Sequence, residues 1–149
     1  MSIVHPSLIF SGDTSNYNAN TCKKPDFGKW RDCNGIGAGY YYDDGKKYCV
    51  VLTDTGCPNQ TLFRTRKNCT DVCESDEGPE HCAKGPESPC SGTDRGRKRY
   101  FYNITTQVCS AYPRCGVTRP SLGENSFYTN NSCQQDCGGF TENDVKSQN

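Results

Sequence analysis

The sequence predicts a small, disulfide-rich α+β fold that is built twice along the chain, and three observations support this. The 149 residues include 12 cysteines, an even number and a high density for a short chain. The cysteines form two sets of six, and each set closes with a Cys-x-x-x-Cys pair. Each set also has an aromatic triplet and a phenylalanine at the same distances from its cysteines. A duplicated module explains all three.

The apolar content is too low for one large core. The chain has 7 Val, 4 Ile and 4 Leu, supported by 6 Phe and 9 Tyr. Ordering the backbone costs roughly 1 to 2 kcal/mol per residue, so the cysteines are expected to stabilise the fold by cross-linking the unfolded chain. Disulfides of this density disfavour the cytosol, and we expect a secreted, extracellular protein.

The two cysteine sets differ in spacing but not in order. In the first set, successive cysteines are separated by 10, 15, 7, 11 and 3 residues: Cys22, Cys33, Cys49, Cys57, Cys69 and Cys73. In the second set, the separations are 7, 18, 5, 17 and 3 residues: Cys82, Cys90, Cys109, Cys115, Cys133 and Cys137.

Each module is predicted to contain one β-hairpin. The triplet at residues 40–42 lies nine to seven residues before Cys49, and the triplet at residues 100–102 lies equally far before Cys109. Turn-forming residues follow each triplet, with Asp44-Gly45 the stronger signal of the two. We expect the triplets to pack in the cores rather than to stack on nucleic acid, because both copies keep the same distance from a cysteine.

Each module is also predicted to end in a short helix. The closing cysteines are four residues apart and therefore share one helix face. Thr65 and Thr129 stand four residues before the fifth cysteine and are predicted N-caps, and Gly138 is a predicted C-cap.

These elements predict five segments. They are an N-terminal arm at 1–21, a first module at 22–73, an acidic linker at 74–81, a second module with unusual spacing at 82–137 and a C-terminal tail at 138–149. The linker holds four acids and no Lys or Arg, so we interpret it as solvated. The first ten residues lack a basic n-region and a continuous apolar stretch, and we interpret them as mature sequence.

The cysteine order, the aromatic triplets and the closing Cys-x-x-x-Cys resemble the Kunitz (pancreatic trypsin inhibitor-like) family. Sequence alone leaves 15 pairings open for six cysteines. The resemblance implies first with sixth, second with fourth and third with fifth, giving three disulfides per module. The implied pairs are Cys22 with Cys73, Cys33 with Cys57, Cys49 with Cys69, Cys82 with Cys137, Cys90 with Cys115, and Cys109 with Cys133.

The resemblance also implies where an inhibitory contact would be. In inhibitory members, the residue after the second cysteine fills the protease's primary specificity pocket. The equivalent (P1) positions here are Asn34 and Ser91, which offer neither a cation nor a large apolar side chain. Ordinary inhibition of trypsin or chymotrypsin is therefore not expected. The altered spacing resembles the two-domain Kunitz proteins of tick saliva.

Four cations lie in one stretch that the sequence places on an enlarged loop of the second module: Arg95, Arg97, Lys98 and Arg99. We interpret this basic loop as a contact for an acidic protein exosite or a sulfated polysaccharide. The alternative is a solvated loop whose charge aids solubility. Arg95-Gly96 is followed by Arg97 instead of an acid, which argues against an integrin-binding Arg-Gly-Asp motif.

Two further features are candidates for function or processing. The arm at 1–21 could insert into a protease, as the arms of some tick relatives do, or it could be a disordered tail. Four Asn-x-Ser/Thr sequons are candidates for N-glycosylation: Asn59, Asn68, Asn103 and Asn130.

We therefore expect a secreted, non-catalytic, monomeric anticoagulant glycoprotein that impairs haemostasis. The resemblance implies a trypsin-like clotting protease as target: factor Xa, thrombin or the factor VIIa complex. A non-protease host target is the main alternative: a platelet integrin, an ion channel, or a complement or inflammatory protein. A third possibility is residual inhibition of an unusual protease through Asn34 or Ser91. We expect no cofactor or metal site, because no catalytic set of residues is visible at usable spacing and the cysteines are expected to form disulfides. We also expect no nucleic-acid partner, because the triplets are assigned to the cores, and no membrane partner, because no apolar run approaches the ~20 residues that a membrane span needs.

Overall fold

A computed structural model describes residues 22–25, 39–52, 62–75 and 77–145 of the chain. The chain divides into two compact units, Met1–Glu77 and Gly78–Asn149. No helix within the described ranges has the length and apolar character that a bilayer crossing requires. The disulfide-rich α+β class predicted from the sequence is confirmed, since each unit contains a hairpin and a short helix.

Unit 1 consists of strands β1 (Gly39–Asp43) and β2 (Tyr48–Leu52) and helix α1 (Arg66–Val72). The strands are antiparallel, with Tyr42 opposite Cys49. Tyr40 and Phe63 exchange both backbone hydrogen bonds, each 2.8 Å long, which joins the start of the hairpin to the segment that leads into α1.

Unit 2 repeats this plan with added pieces. It contains η1 (Glu80–Ala83, a 3-10 helix), β3 (Arg97–Asn103), β4 (Val108–Arg114), α2 (Asn130–Cys137) and η2 (Glu142–Asp144, also 3-10). The strands are again antiparallel, with Tyr102 opposite Cys109. Tyr100 and Phe127 exchange two backbone hydrogen bonds of 2.8 Å, the counterpart of the Tyr40–Phe63 pair. The aligned aromatic positions therefore have the same structural role in both units.

The turn of the first hairpin is longer than the two-residue turn that an Asp-Gly pair usually forms, because four residues separate Asp43 from Tyr48. The Asp43 carboxylate accepts the backbone N–H groups of Gly45 (3.0 Å) and Lys46 (3.1 Å). Lys47, with φ of 64°, occupies the left-handed position, and its N–H donates to the Asp43 carbonyl. Asp44-Gly45 therefore does mark the turn, but the turn is four residues long and a lysine adopts the positive φ.

The second hairpin has the same turn although its sequence signal is weaker. The Asn103 side-chain oxygen accepts the N–H groups of Thr105 (2.9 Å) and Thr106 (3.2 Å). Gln107 has φ of 61°, and its N–H donates to the Asn103 carbonyl. The shared determinant is an Asp or Asn that accepts hydrogen bonds from the turn, which is the ordinary preference of these residues.

Both predicted N-caps are confirmed. The Thr65 hydroxyl accepts the N–H of Asn68 at 3.1 Å, and the Thr129 hydroxyl accepts the N–H of Ser132 at 3.0 Å. Each threonine has extended backbone angles, as a residue that starts a helix requires.

Gly138 does cap α2, but for a reason other than left-handed geometry. Its φ is −57°, and its N–H donates to the Gln134 carbonyl at 2.8 Å. A Cβ at this position would overlap that same carbonyl oxygen. Gly139, with φ of 90°, makes the left-handed turn one residue later.

Each unit has a small core formed largely by aromatic rings and disulfides. Tyr40 and Phe63 pack with the bridge between Cys49 and Cys69 in unit 1. In unit 2, Tyr102 packs with Ile104 and with half-cystines of two bridges. The first and third rings of each triplet therefore lie in or against a core, as predicted, whereas Phe101 is half-buried and packs edge-on against Tyr112.

The five bridges of the described residues have the partners that the family resemblance implies. They are Cys22–Cys73, Cys49–Cys69, Cys82–Cys137, Cys90–Cys115 and Cys109–Cys133. The expected pair Cys33 with Cys57 lies outside the described residues.

The expectation of a solvated linker at 74–81 is wrong for two of its residues. The Glu77 carboxylate accepts the N–H of Cys49 at 2.6 Å and pairs with Arg66 at 2.9 Å, because Arg66 is buried in α1 and needs a counter-charge. Pro79 is fully buried in unit 2. The acidic composition of residues 74–81 therefore did not mean that all of these residues are solvent-exposed.

Part of the segment interpreted as a C-terminal tail also packs on unit 2. Phe140 is buried, and its carbonyl accepts the hydroxyl of the buried Tyr102 at 2.5 Å. Val145 packs on the same core. Burial raises the pKa of Tyr102, because the charged phenolate would lose its solvation there.

Candidate binding surface of unit 2

The loop that follows Cys90 is exposed but firmly anchored at its base. Cys90 is bridged to Cys115, and its N–H donates to the Pro113 carbonyl at 3.0 Å. Residues 91–96 are all exposed, which includes the P1-equivalent Ser91. Gly96 ends the loop with φ of 61°, and a Cβ there would overlap the Cys90 sulfur and the Arg114 carbonyl. A residue without a side chain is required at this position.

The structure corrects the assignment of the four cations to one loop. Arg95 lies on the loop, but Arg97, Lys98 and Arg99 form the first three residues of β3. They pair with the end of β4, where Arg97 lies opposite Arg114. The loop is therefore shorter than the cysteine spacing suggested, because part of the extra length extends the hairpin.

Strand placement gives the cations different surroundings. Arg95, Arg97 and Lys98 are exposed, and the Lys98 ammonium lies 5.6 Å from the centre of the Tyr100 ring. Arg99 is half-buried: its Nε–H donates to the Thr118 carbonyl at 2.8 Å. Its guanidinium lies 4.6 Å from the centre of the Tyr128 ring, a cation–π contact. Arg99 thus anchors a neighbouring segment and is less available to a partner than the other three.

Arg114, the residue before Cys115, is a second anchor. Its side chain is only 2% exposed; its Nε–H donates to the Val117 carbonyl at 2.6 Å and its Nη1 donates to the Glu124 carboxylate at 2.8 Å. Burial alone would lower the pKa of Arg114, but the hydrogen bond and charge of Glu124 outweigh it and raise the pKa. The same hydrogen bond lowers the pKa of Glu124. The buried cation is therefore paired, as a stable interior requires.

The remaining sequence candidates are distributed as follows. Asn34, Asn59 and the arm at 1–21 lie outside the described residues. Asn68 is half-buried in α1, and the threonine of its sequon, Thr70, is buried. Asn103 at the second hairpin turn and Asn130 at the start of α2 are exposed.

One group of side chains has the composition of a metal site but not its chemistry. His81 Nε2 lies 2.5 Å from Asp136 Oδ2, next to Cys82 and Cys137. Those two cysteines are bridged to each other, and a disulfide sulfur is not a thiolate ligand. Two ligands remain, which is fewer than a structural or catalytic zinc ion takes.

Sequence reasoning missed the residues that complete this surface: Val117, Leu122, Glu124 and Tyr128. The only signal was the long interval of 17 residues between Cys115 and Cys133. That interval did not indicate which side chains would be exposed, because the outcome depends on tertiary contacts with Arg99 and Arg114.

Comparison with known proteins gives distant relatives, and no family model matches the chain. Papilin of Drosophila melanogaster is 27% identical over 76% of this chain. The carboxypeptidase inhibitor SmCI of Sabellastarte magnifica is 27% identical over 66%, and doenitin-1 of Haemaphysalis doenitzi is 26% identical over 70%. The chain spans 4% of papilin, 57% of SmCI and 78% of doenitin-1.

The comparison with solved structures gives two further matches. One is the complex between SmCI and human carboxypeptidase A4, 23% identical over 76% of this chain and 61% of the other, with a TM-score of 0.28. The second is from an NMR study of the interaction of ixolaris with factor X, 22% identical over 74% and 88%, also with a TM-score of 0.28.

Among these relatives, SmCI is named as a carboxypeptidase inhibitor. The hairpins, helices and bridges described above have the pattern that the family resemblance implies.

Proposed function

We propose that the chain is a secreted, non-catalytic inhibitor made of two tandem Kunitz-type domains and directed at a trypsin-like clotting protease. The candidates are factor Xa, thrombin and the factor VIIa complex. The observation that carries the proposal is the contrast around Cys90. The P1-equivalent Ser91 is uncharged and exposed, whereas Arg95, Arg97 and Lys98 are exposed just beyond it. The binding contacts are therefore electrostatic and lie outside the protease's primary specificity pocket.

Charge distribution supports an acidic exosite as the contact. Clustered cations raise the association rate with an acidic partner, and this effect weakens as salt increases. A sulfated polysaccharide would be attracted by the same cations and is a secondary ligand in this proposal. The exposed sequons at Asn103 and Asn130 support secretion as a glycoprotein, and we take the protein to be a monomer.

The first prediction tests the basic residues. Replacing Arg95 and Arg97 together by alanine removes two exposed charges and is expected to weaken protease binding about tenfold at physiological salt, mainly through the association rate. The salt dependence of that rate should also flatten. Binding is measured by surface plasmon resonance against factor Xa, thrombin, the factor VIIa complex and a carboxypeptidase, the class that SmCI is named as inhibiting.

A matched control removes the same charge elsewhere. Lys46→Ala combined with Lys84→Ala replaces two exposed lysines outside the basic surface and should leave binding within twofold of the parent. An equal loss in both double variants would mean that net charge, not this surface, controls binding. No effect of the parent on any protease or on clotting time at micromolar concentration would refute the function. Platelet aggregation blocked without protease binding would point to a non-protease target.

A further inference from the structure

Residues 116–124 of unit 2, termed here the Leu122 loop, expose aliphatic side chains to solvent. Leu122 is 88% exposed and Val117 is 74% exposed. Tyr128, just beyond the loop, is 53% exposed. Single exposed apolar residues are common on protein surfaces, so exposure alone carries no inference. This loop differs from an ordinary exposed loop because Arg99 and Arg114 hold its backbone in place.

Both ends of the Leu122 loop are fixed by buried or paired groups. At one end, the buried Arg114 donates to the Val117 carbonyl. At the other end, Glu124 accepts from Arg114 and from the Ser121 N–H at 3.1 Å, and its own N–H donates to the Ser121 carbonyl at 3.2 Å. One arginine therefore connects the start of the loop to its end.

The middle of the loop is fixed from a different strand. Arg99 of β3 donates to the Thr118 carbonyl while its guanidinium stacks on Tyr128. Two arginine side chains thus donate hydrogen bonds to backbone carbonyl groups of this loop, while the aliphatic side chains of the loop remain exposed to solvent. The anchors order the loop before any partner arrives, and this preorganisation removes part of the entropy cost of binding.

The charge of the loop limits the kind of partner. Arg119 is exposed near its centre, and Glu124, the only acid among residues 116–124, is already paired with Arg114. The loop therefore offers two aliphatic side chains and one cation, with no free carboxylate. A complementary surface has an apolar depression edged by carboxylates.

We propose that the Leu122 loop is a second contact of unit 2 with its protease. Leu122 and Val117 enter an apolar depression on the protease, and Arg119 faces carboxylates at its edge. This inference rests on the proposed function. It adds a contact that is separate in sequence from the basic residues and from Ser91, and it explains why Arg99 and Arg114 are used to order a surface loop.

The second prediction places a charge in that contact. Leu122→Asp should weaken binding to the responding protease of the panel at least tenfold, mainly through faster dissociation, because a carboxylate would have to be buried in an apolar depression. Val108→Asp is the matched control: Val108 is 50% exposed at the start of β4, next to the hairpin turn, and should leave binding within twofold. Arg119→Glu should weaken binding more than Arg119→Ala does.

The possible outcomes separate the two proposals. Unchanged binding by Leu122→Asp, with its thermal unfolding equal to the parent's, overturns the second contact and leaves the protease function intact. Failure of the parent to bind any protease of the panel overturns both. Sedimentation velocity tests self-association as the alternative role of the loop. If the parent is a dimer and Leu122→Asp is a monomer, the loop serves self-association, which overturns the proposed contact with a protease.

Discussion

Arg114 shows how one buried cation can hold a surface loop in place. Its side chain is only 2% exposed, and the structure accommodates the charge by pairing it with Glu124. A buried guanidinium without that partner would be strongly unfavourable. The sequence did not indicate that Arg114 pairs with Glu124, because nine residues lie between them and the intervening loop has no regular periodicity.

The third prediction follows from this pair. The pKa of Glu124 is lowered in the folded state, so the stabilisation is present above the ordinary glutamate pKa and is lost as pH falls through the lowered value. Glu124→Gln keeps a hydrogen-bond acceptor for Arg114 but removes the negative charge, so it is expected to cost about 1 kcal/mol at pH 7, discounted for the partial exposure of the carboxylate, and less at pH 3. Urea unfolding of both proteins at the two pH values measures the difference. If the difference in unfolding free energy between the two proteins were the same at both pH values, the ion pair between Glu124 and Arg114 would not be its cause.

At the scale of elements, the two hairpins show which sequence signals determine a turn. Their tips differ in sequence, yet each has an Asp or Asn that accepts two turn N–H groups, followed four residues later by a residue with positive φ. The Asp44-Gly45 pair is the stronger sequence signal for a turn, but its glycine does not adopt the positive φ. An Asp or Asn at the position of Asp43 and Asn103, whose side chain accepts hydrogen bonds from the turn, therefore predicts this turn better than the Asp-Gly pair does.

The fourth prediction concerns Asn125, which fixes the second hairpin to the chain before it. Its side chain is fully buried and accepts the Tyr102 N–H at 2.8 Å. It also donates to the carbonyls of Tyr102 (2.9 Å) and Lys84 (2.7 Å). Asn125→Ala leaves these buried groups unpaired and should destabilise the protein by about 3 kcal/mol in chemical denaturation. Asn131→Ala, an exposed change in α2, should stay within about 0.5 kcal/mol, and similar losses in both would contradict the role of Asn125.

Element type was predictable where the signal is local, and element extent was not. Thr65 and Thr129 identified the helix starts because N-capping depends on neighbouring residues. The extension of β3 back to Arg97 depends on pairing with Arg114, which no local pattern encodes. The four cations that the sequence placed on one loop are therefore divided between a loop and a strand.

At the scale of the whole molecule, disulfides replace the apolar core that the composition cannot supply. The cores of both units are mostly aromatic rings and half-cystines. The pairing came from the family resemblance, since spacing alone left 15 possibilities in each set. The pairing of Glu77 and the burial of Phe140, in contrast, depend on tertiary contacts, so composition could not indicate them.

The fifth prediction tests the tandem organisation. Proteolysis without reduction, followed by mass spectrometry, should recover the five bridges described and the pair Cys33 with Cys57, with no bridge crossing from the first cysteine set to the second. Replacing Cys109 and Cys133 together by serine should cost unit 2 about 3 to 4 kcal/mol, because a constraint on the unfolded chain is lost. A free thiol in the parent, or a bridge linking the two sets, would refute two independent modules.

The bond between Tyr102 and Phe140 affects any dissection of this protein. A recombinant fragment cut directly after the last half-cystine would lack the carbonyl that receives the Tyr102 hydroxyl and the ring that covers it. Such a fragment would contain all six cysteines of the second set and still have an open, wet core. Isolated unit 2 must therefore extend to Val145 if its behaviour is to represent that of the parent.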